Sequence, residues 1–215
     1  MSLRIETFVV GPLPNNLYLL IDDEAREAVV VDPSVGSEAA LERMRELQKQ
    51  GVKLAAIWNT HGHFDHIYDN AAWKSEFDVA LGMHPADLFW TQRLREQALW
   101  FGLPTPESVA PDFGFEDGQI ARVGTHAARV MHTPGHSPGS VSFLFQDQNV
   151  CISGDVLFRG SVGRTDLPGC SMEELNRSLK LLSELPAQTR ILSGHGDATT
   201  ISEEMKTNPF CRDLI

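Results

Sequence analysis

Thr60-His61-Gly62-His63-Phe64-Asp65-His66 follows the apolar run Leu54 to Trp58, and its reading governs how the rest of the chain is understood. Three imidazoles and one carboxylate fall between positions 61 and 66, on a turn that leaves a strand and enters a helix. A loop at the carboxyl end of a strand is where a rigid scaffold presents chemistry. Imidazole together with carboxylate suits zinc, iron or manganese, whereas magnesium and calcium prefer shells made only of oxygen.

Three later segments repeat the pattern: Thr133-Pro134-Gly135-His136, Ser153-Gly154-Asp155 and Ser193-Gly194-His195-Gly196. Each sets one ligand type beside glycine, which permits the tight turns that loops need when several must converge on one ion. The candidate ligands are therefore His61, His63, Asp65, His66, His136, Asp155 and His195. Seven ligands are more than one tetrahedral ion uses and suit two ions that share a carboxylate and a water. Two divalent ions are the expected cofactor, zinc first, with iron or manganese as alternatives. Five neutral imidazoles and two carboxylates carry minus two against plus four from the ions, so with a bridging hydroxide the cluster stays near plus one. Such a site attracts and polarises an anionic or carbonyl substrate. His84, His126 and His132 have no partner pattern and read as structural.

Around these loops the chain offers short apolar runs bounded by turn residues: Ile5 to Val10, Leu17 to Ile21 and Ala28 to Val31, the last closed by Asp32-Pro33. Helical spacing of Ala40, Leu41, Met44 and Leu47 after Ser37, stopped by Gly51, predicts a helix that crosses to the Leu54 strand. A second block of strands follows in Ile120 to Val123, Ala128 to Met131, Ser140 to Phe145 and Val150 to Ile152. Ser171 with Glu174 three residues on opens a capped helix through Ser183. Two packed sheets with helices outside are expected, an α/β arrangement of the α+β type in one compact domain, residues 1–215. The segment Pro85 to Phe101 reads as one helix unusually rich in aromatics. It serves either as packing and a contact between copies in a homo-oligomer, or as a wall over the site, in which case Phe89, Trp90 and Trp100 approach the substrate.

Composition narrows the function classes. Eighteen Lys and Arg against 29 Asp and Glu leave a formal charge of -11, which repels phosphate backbones and argues against nucleic-acid binding through a broad basic surface. A small molecule is the expected partner. No apolar run approaches the roughly 20 residues of a membrane span, and Met1 to Val10 lacks the basic segment and cleavage site of a secretion signal, so the chain reads as cytoplasmic. Cys151, Cys170 and Cys211 are odd in number and far apart, which suggests neither a disulfide frame nor a zinc knuckle.

His-x-His-x-Asp-His followed by Gly-His, Gly-Asp and Gly-His resembles the metallo-β-lactamase superfamily over nearly the whole chain. The resemblance implies a four-layered αββα sandwich with the site at one edge. It implies that His61, His63 and His136 hold one metal, that Asp65, His66 and His195 hold the other, and that Asp155 bridges them, with Asp65 and Asp155 as the catalytic carboxylates. Asp32 matches the superfamily's first-motif aspartate, which steadies the ligand loop. Within the superfamily, Gly154-Asp155-Val156-Leu157-Phe158, the loop from Gly160 to Asp166 and the ending Lys206-Thr207-Asn208-Pro209-Phe210 look like the glyoxalase II group, most of all its short bacterial members. The activity implied is hydrolysis of a thioester, S-lactoylglutathione or a related hydroxyacylglutathione, by a hydroxide held on the metals. Arg164 stands where those enzymes carry a lysine that contacts glutathione; pairing with Asp166 is the alternative role. Two departures stand out. Only 20 residues follow His195, too few for the helical glutathione-binding domain of longer members, and Asp166 replaces their tyrosine.

Three other readings stay open. The Gly-Arg-Thr-Asp loop also resembles persulfide dioxygenases, which hold a single iron through positions matching His61, His136 and Asp155. A nuclease of the same superfamily is disfavoured by the acidic charge. A metal-binding module without catalysis is disfavoured by the intact ligand set.

Overall fold

The computed structural model describes residues 2–212; the expected domain span 1–215 runs past these at both ends, outside the described residues. One sheet is built in chain order from β1 (Arg4–Val10), β2 (Asn15–Asp22), β3 (Glu27–Val31), β4 (Lys53–Trp58), β5 (Ala80–Met83) and β6 (Phe113–Gly114). Its first three strands are antiparallel neighbours, and β3 through β6 run parallel. Helices α1 (Glu38–Lys49), α2 (Phe64–Ile67), α3 (Asn70–Phe77), α4 (Leu88–Gln92) and α5 (Leu94–Trp100) fall between these strands.

The second sheet begins with β7 (Ile120–Val123), β8 (His126–His132), β9 (Val141–Phe145) and β10 (Val150–Gly154). A small hairpin of β11 (Leu157–Phe158) and β12 (Ser161–Val162) and helix α6 (Met172–Ser183) precede β13 (Arg190–Ser193), β14 (Thr199–Thr200) and α7 (Ile201–Thr207). The sheet order is β14-β13-β10-β9-β8-β7, with β10 and β13 parallel and the other neighbours antiparallel.

Strand periodicity builds the layers. Along β2, Leu17, Leu19 and Ile21 face α1 and α3, while Tyr18 and Leu20 face the other sheet. β3 alternates in the same way, with Ala28 and Val30 outward and Val29 and Val31 inward. From the second sheet Val130, Phe143, Phe145 and Ile152 close the inter-sheet core, against which Trp58 and Phe115 pack edge to face. On the outer face of the second sheet Leu175, Leu179 and Leu182 of α6 cover Cys151 and Ile191. Helix, sheet, sheet and helix are thus stacked as expected, with two mixed sheets between outer helices.

The cap of α6 behaves as its sequence suggests. Ser171 Oγ accepts the Glu174 N–H at 3.3 Å, which satisfies one orphan donor of α6. One expectation fails: Pro85 to Phe101 is not a single helix. A 3-10 turn at Pro85–Asp87 leads into α4, and Arg93 breaks the run before α5. The break has a tertiary cause. Gln97 donates its side-chain N–H to the Trp90 carbonyl at 3.0 Å and accepts the Phe64 N–H at 3.1 Å, so backbone groups are satisfied by a side chain that also holds the ligand loop.

Candidate metal centre

Every candidate ligand leaves a strand end. β4 runs into the loop carrying His61 and His63 and then α2 with Asp65 and His66; β8 leads to His136, β10 to Asp155, and β13 to His195. The loops are stitched together at one edge of the sandwich. Val141 donates its N–H to the Thr60 carbonyl at 2.8 Å, Gly194 to Gly154 at 2.9 Å, and Asn16 to Gly194 at 2.7 Å. A side chain at 194 would collide with the Asp155 carboxylate and the His66 ring, so glycine is required for that approach.

The seven side chains converge in two groups. His61, His63 and His136 bring ligand atoms within 4.8 Å of one another, and so do Asp65, His66 and His195. Asp155 touches both groups: Oδ1 lies 3.4 Å from His66 Nε2, and Oδ2 lies 3.5 Å from Nε2 of both His136 and His195. The outward ring nitrogens are fixed by other partners. His136 Nδ1–H donates to the Arg164 carbonyl at 2.9 Å, His195 Nδ1–H to the Pro14 carbonyl at 3.2 Å, and His66 Nδ1–H to Asp32 at 2.9 Å. Each arrangement leaves Nε2 turned inward, as second partners of metal-ligating histidines do.

The donor set fits a metal. His61 Nε2, His63 Nε2, His66 Nε2 and Asp155 Oδ1 are buried without a hydrogen-bond partner. Buried polar atoms are normally paired, so the orphaned Nε2 atoms of His61 and His66 and Oδ1 of Asp155, together with His63 Nδ1 turned toward His136 Nε2 at 2.8 Å, mark an ion site. Charge is arranged to the same end. Burial, reinforced by the facing imidazoles, holds His61 well below its ordinary value and brings His63 to about 3, which keeps both neutral and ready to ligate. Burial alone would raise Asp155, yet His66, His136 and His195 outweigh it and hold its carboxyl below the usual carboxylate range.

Asp32 lies at the end of β3 in a left-handed conformation, φ 53°. Its carboxylate accepts the Thr60 N–H at 2.7 Å and the Thr60 hydroxyl at 2.6 Å as well as His66, so it ties the two ends of the ligand loop together. Asp87 does comparable work and carries no sequence signal. Its buried carboxylate accepts Gly62 N–H at 2.8 Å, Ser137 hydroxyl at 2.6 Å and Gly139 N–H at 2.6 Å, which links the His61–His63 loop to the His136 loop. Burial lifts its carboxyl above the usual range, against the pull of those donors.

A cleft of about 610 Å³ opens over the ligands. Of the residues expected near substrate, Trp100 and Arg164 line it and Phe89 and Trp90 do not. Trp90 is fully buried with its ring 4.8 Å from that of His63, so it backs a ligand instead of facing the cleft, and Phe89 lies against Trp90. Phe101, Phe64 and Phe158 line the cleft in their place. Arg164 forks onto Asp166 at 2.6 and 2.8 Å. His84 and His132 stack on each other at 4.2 Å, His126 sits 3.9 Å from Asp22, and the three cysteines are free.

Comparison with known proteins agrees with this geometry. The family model described as the metallo-beta-lactamase superfamily matches residues 10–195. The hydroxyacylglutathione hydrolase GloC of Haemophilus influenzae is 36% identical over 211 residues, covering 97% of this chain and 98% of that protein. Among solved structures, the BLEG-1 B3 metallo-beta-lactamase is 36% identical with a TM-score of 0.87, covering 97% of this chain and 99% of its own. TTHA1623, solved in a di-iron-bound form, is 39% identical with a TM-score of 0.86 over 95% and 99% of the two chains. With its two-sheet sandwich, its edge cluster of His and Asp ligands and a family match over most of its length, the chain belongs to the metallo-β-lactamase superfamily, whose members include metal-dependent hydrolases.

Proposed function

We propose that the protein is a thioester hydrolase that acts on a small molecule of the hydroxyacylglutathione type, S-lactoylglutathione being the first candidate, with two divalent ions, zinc first, in the site. The observation that carries this reading is Asp155 in contact with both three-residue ligand groups at the floor of an open cleft. The GloC relative supports the substrate class.

When bound, the ions would supply a water of near-neutral pKa and a positive charge for the oxygen of the substrate carbonyl. His61, His63 and His136 would hold one ion, and Asp65, His66 and His195 the other, with Asp155 between. In the reaction the oxygen of water forms the new C–O bond, the C–S bond breaks, and a carboxylate, a thiol and one proton leave. The thiolate is a good leaving group, the pKa of its conjugate thiol being about 8.5, so no strong side-chain acid is needed. Nor is a cysteine nucleophile. Cys170 Sγ–H donates to the His136 carbonyl at 2.8 Å, and burial raises its pKa, so it stays a thiol that props the ligand loop.

A mononuclear-iron persulfide dioxygenase is the second reading, favoured by the loop Gly163-Arg164-Thr165-Asp166 at the cleft rim. It would use His61, His136 and Asp155 alone and leave the Asp65, His66 and His195 group without a task. Metal analysis of protein purified without added metal, paired with S-lactoylglutathione hydrolysis and oxygen uptake on glutathione persulfide, separates the two. Two metals with thioester cleavage and no oxygen uptake are expected; one iron with oxygen uptake overturns the proposal. A β-lactam is included in the assay because of the BLEG-1 neighbour.

A further inference from the structure

The cleft over the ligands is walled by apolar side chains from separate parts of the fold: Leu13 from the turn after β1, Phe64 from α2, Trp100 and Phe101 from the end of α5, and Phe158 and Val162 from the β11–β12 hairpin. Trp100 and Phe101 are 51% and 45% exposed, more than packing alone explains for rings of that size. Phe101 stacks on Phe64 at 4.6 Å, and Phe64 sits in the chain between the ligands His63 and Asp65. Phe158 reaches the second group, 6.1 Å from the His195 ring. A group lying on these rings would therefore be held beside the reacting carbonyl, near both sets of ligands.

Charge recognition is sparse by comparison. Among the described residues lining the cleft, Arg164 is the one guanidinium or ammonium group, and Asp166 already occupies its fork. Glutathione brings two carboxylates and an ammonium, and coenzyme A brings phosphates. Such carriers are polar, so the part of a thioester that can use an apolar wall is its acyl group. A lactoyl group, three carbons with a hydroxyl, covers little of it.

Resting on the thioester reading above, we infer that the wall of Leu13, Phe64, Trp100, Phe101, Phe158 and Val162 receives the acyl group, so that thioesters of medium-length alkyl or aryl acids are substrates in addition to the hydroxyacyl thioesters, with the thiol carrier recognised weakly. The wall's continuity with the ligands argues for a substrate over a second copy of the chain, which would close the cleft.

The test uses the metal-loaded protein and straight-chain acyl thioesters of one small neutral thiol, from acetyl to octanoyl. In addition, octanoate and acetate are titrated against the protein's tryptophan fluorescence, a readout independent of turnover. Expected are a rise in kcat/KM of about fourfold per methylene over the first several carbons and a fluorescence change with octanoate well below the concentration at which acetate gives one. Phe101→Ser and Phe158→Ser should each reduce the octanoyl-to-acetyl ratio of kcat/KM by tenfold or more. A flat or falling series with acetyl thioester turned over, or a ratio unchanged in both variants, overturns the acyl assignment and leaves the hydrolase reading intact. If no thioester is cleaved, the hydrolase reading fails; the fluorescence arm then judges the wall, and equal responses to octanoate and acetate, or self-association that abolishes the response, overturn it too.

Discussion

The Asp87 carboxylate accepts the backbone N–H of Gly62 at 2.8 Å, reaching between His61 and His63 from a turn that precedes α4. The same carboxylate holds Ser137 and Gly139 on the far side of the His136 loop, so one buried group sets the spacing of two loops that supply three ligands. Asp87 touches no ligand ring in these contacts; it is a positioning residue. Asp87→Ala should weaken metal binding at the His61, His63 and His136 group by about 10- to 100-fold, as loss of an outer partner does. Chelator competition on the variant checks this. Unchanged affinity with only a lower Tm would show that Asp87 is merely part of the packing.

Asp155 sits within 3.5 Å of ligands from both groups, which makes its charge common to both. On the two-ion hydrolase reading proposed above, Asp155→Ala should abolish turnover and lower the occupancy of both metals, measured by elemental analysis after dialysis. Retention of two tightly held ions with near-normal thioester cleavage would remove the bridging role. Stripping metal from the unaltered protein should lower its Tm, because ligand binding to the folded state alone stabilises it and its loss leaves Asp65 and Asp155 buried without cations.

The convergence of His and Asp side chains was legible because its signals are local. Ligands at 61, 63, 65 and 66 sit in one turn, and each remaining ligand carries its own glycine. The layers were legible because Leu17 to Ile21 and Ala28 to Val31 are apolar at every position, as strands covered on both faces are, while the face that each side chain takes became visible only in the structure. Asp87 was not, because its partners lie 25, 50 and 52 residues away and Pro-Ala-Asp before a helix looks like any turn. The break at Arg93 was hidden for a similar reason: no proline or glycine marks it, and the group that stabilises it is the side chain of Gln97. Trp90 and Trp100 are equally aromatic on paper, and only the turn at Arg93 decides that one backs His63 while the other faces the cleft.

Asp22 joins the two sheets away from the site. At the end of β2 it accepts N–H groups of Glu24 and Ala25 in its own turn and both the N–H and hydroxyl of Thr125, between β7 and β8. Burial would raise its carboxyl, but these donors outweigh it and hold it below the usual carboxylate range. A carboxyl lowered on folding stabilises the protein above its unfolded pKa of about 3.9, and that stability is lost as pH falls through the lower folded value. Asp22→Ala should cost about 2 kcal/mol near neutral pH. In the presence of chelator, so that metal release does not contribute, the gap in Tm between the two proteins should narrow below about pH 4. A gap that stays constant down to pH 2 would place the effect in packing and not in the charge.

Arg164 presents its guanidinium at the cleft rim but is more than half exposed and paired with Asp166, so its grip on a substrate carboxylate is that of a surface ion pair. Arg164→Met should raise KM for a glutathione thioester by only about two- to fivefold and leave an uncharged thioester of the same acid unaffected. Asp166→Asn should do the reverse, lowering KM for the glutathione thioester by a similar factor, because the fork is released from its present partner. Metal content should not change in either variant, since His136 is held by the Arg164 backbone carbonyl and not by its side chain. Steady-state kinetics on the paired substrates decide the matter: equal effects on both thioesters, or loss of metal from Arg164→Met, would assign Arg164 to loop shape alone and take the substrate carboxylate out of the recognition of this site.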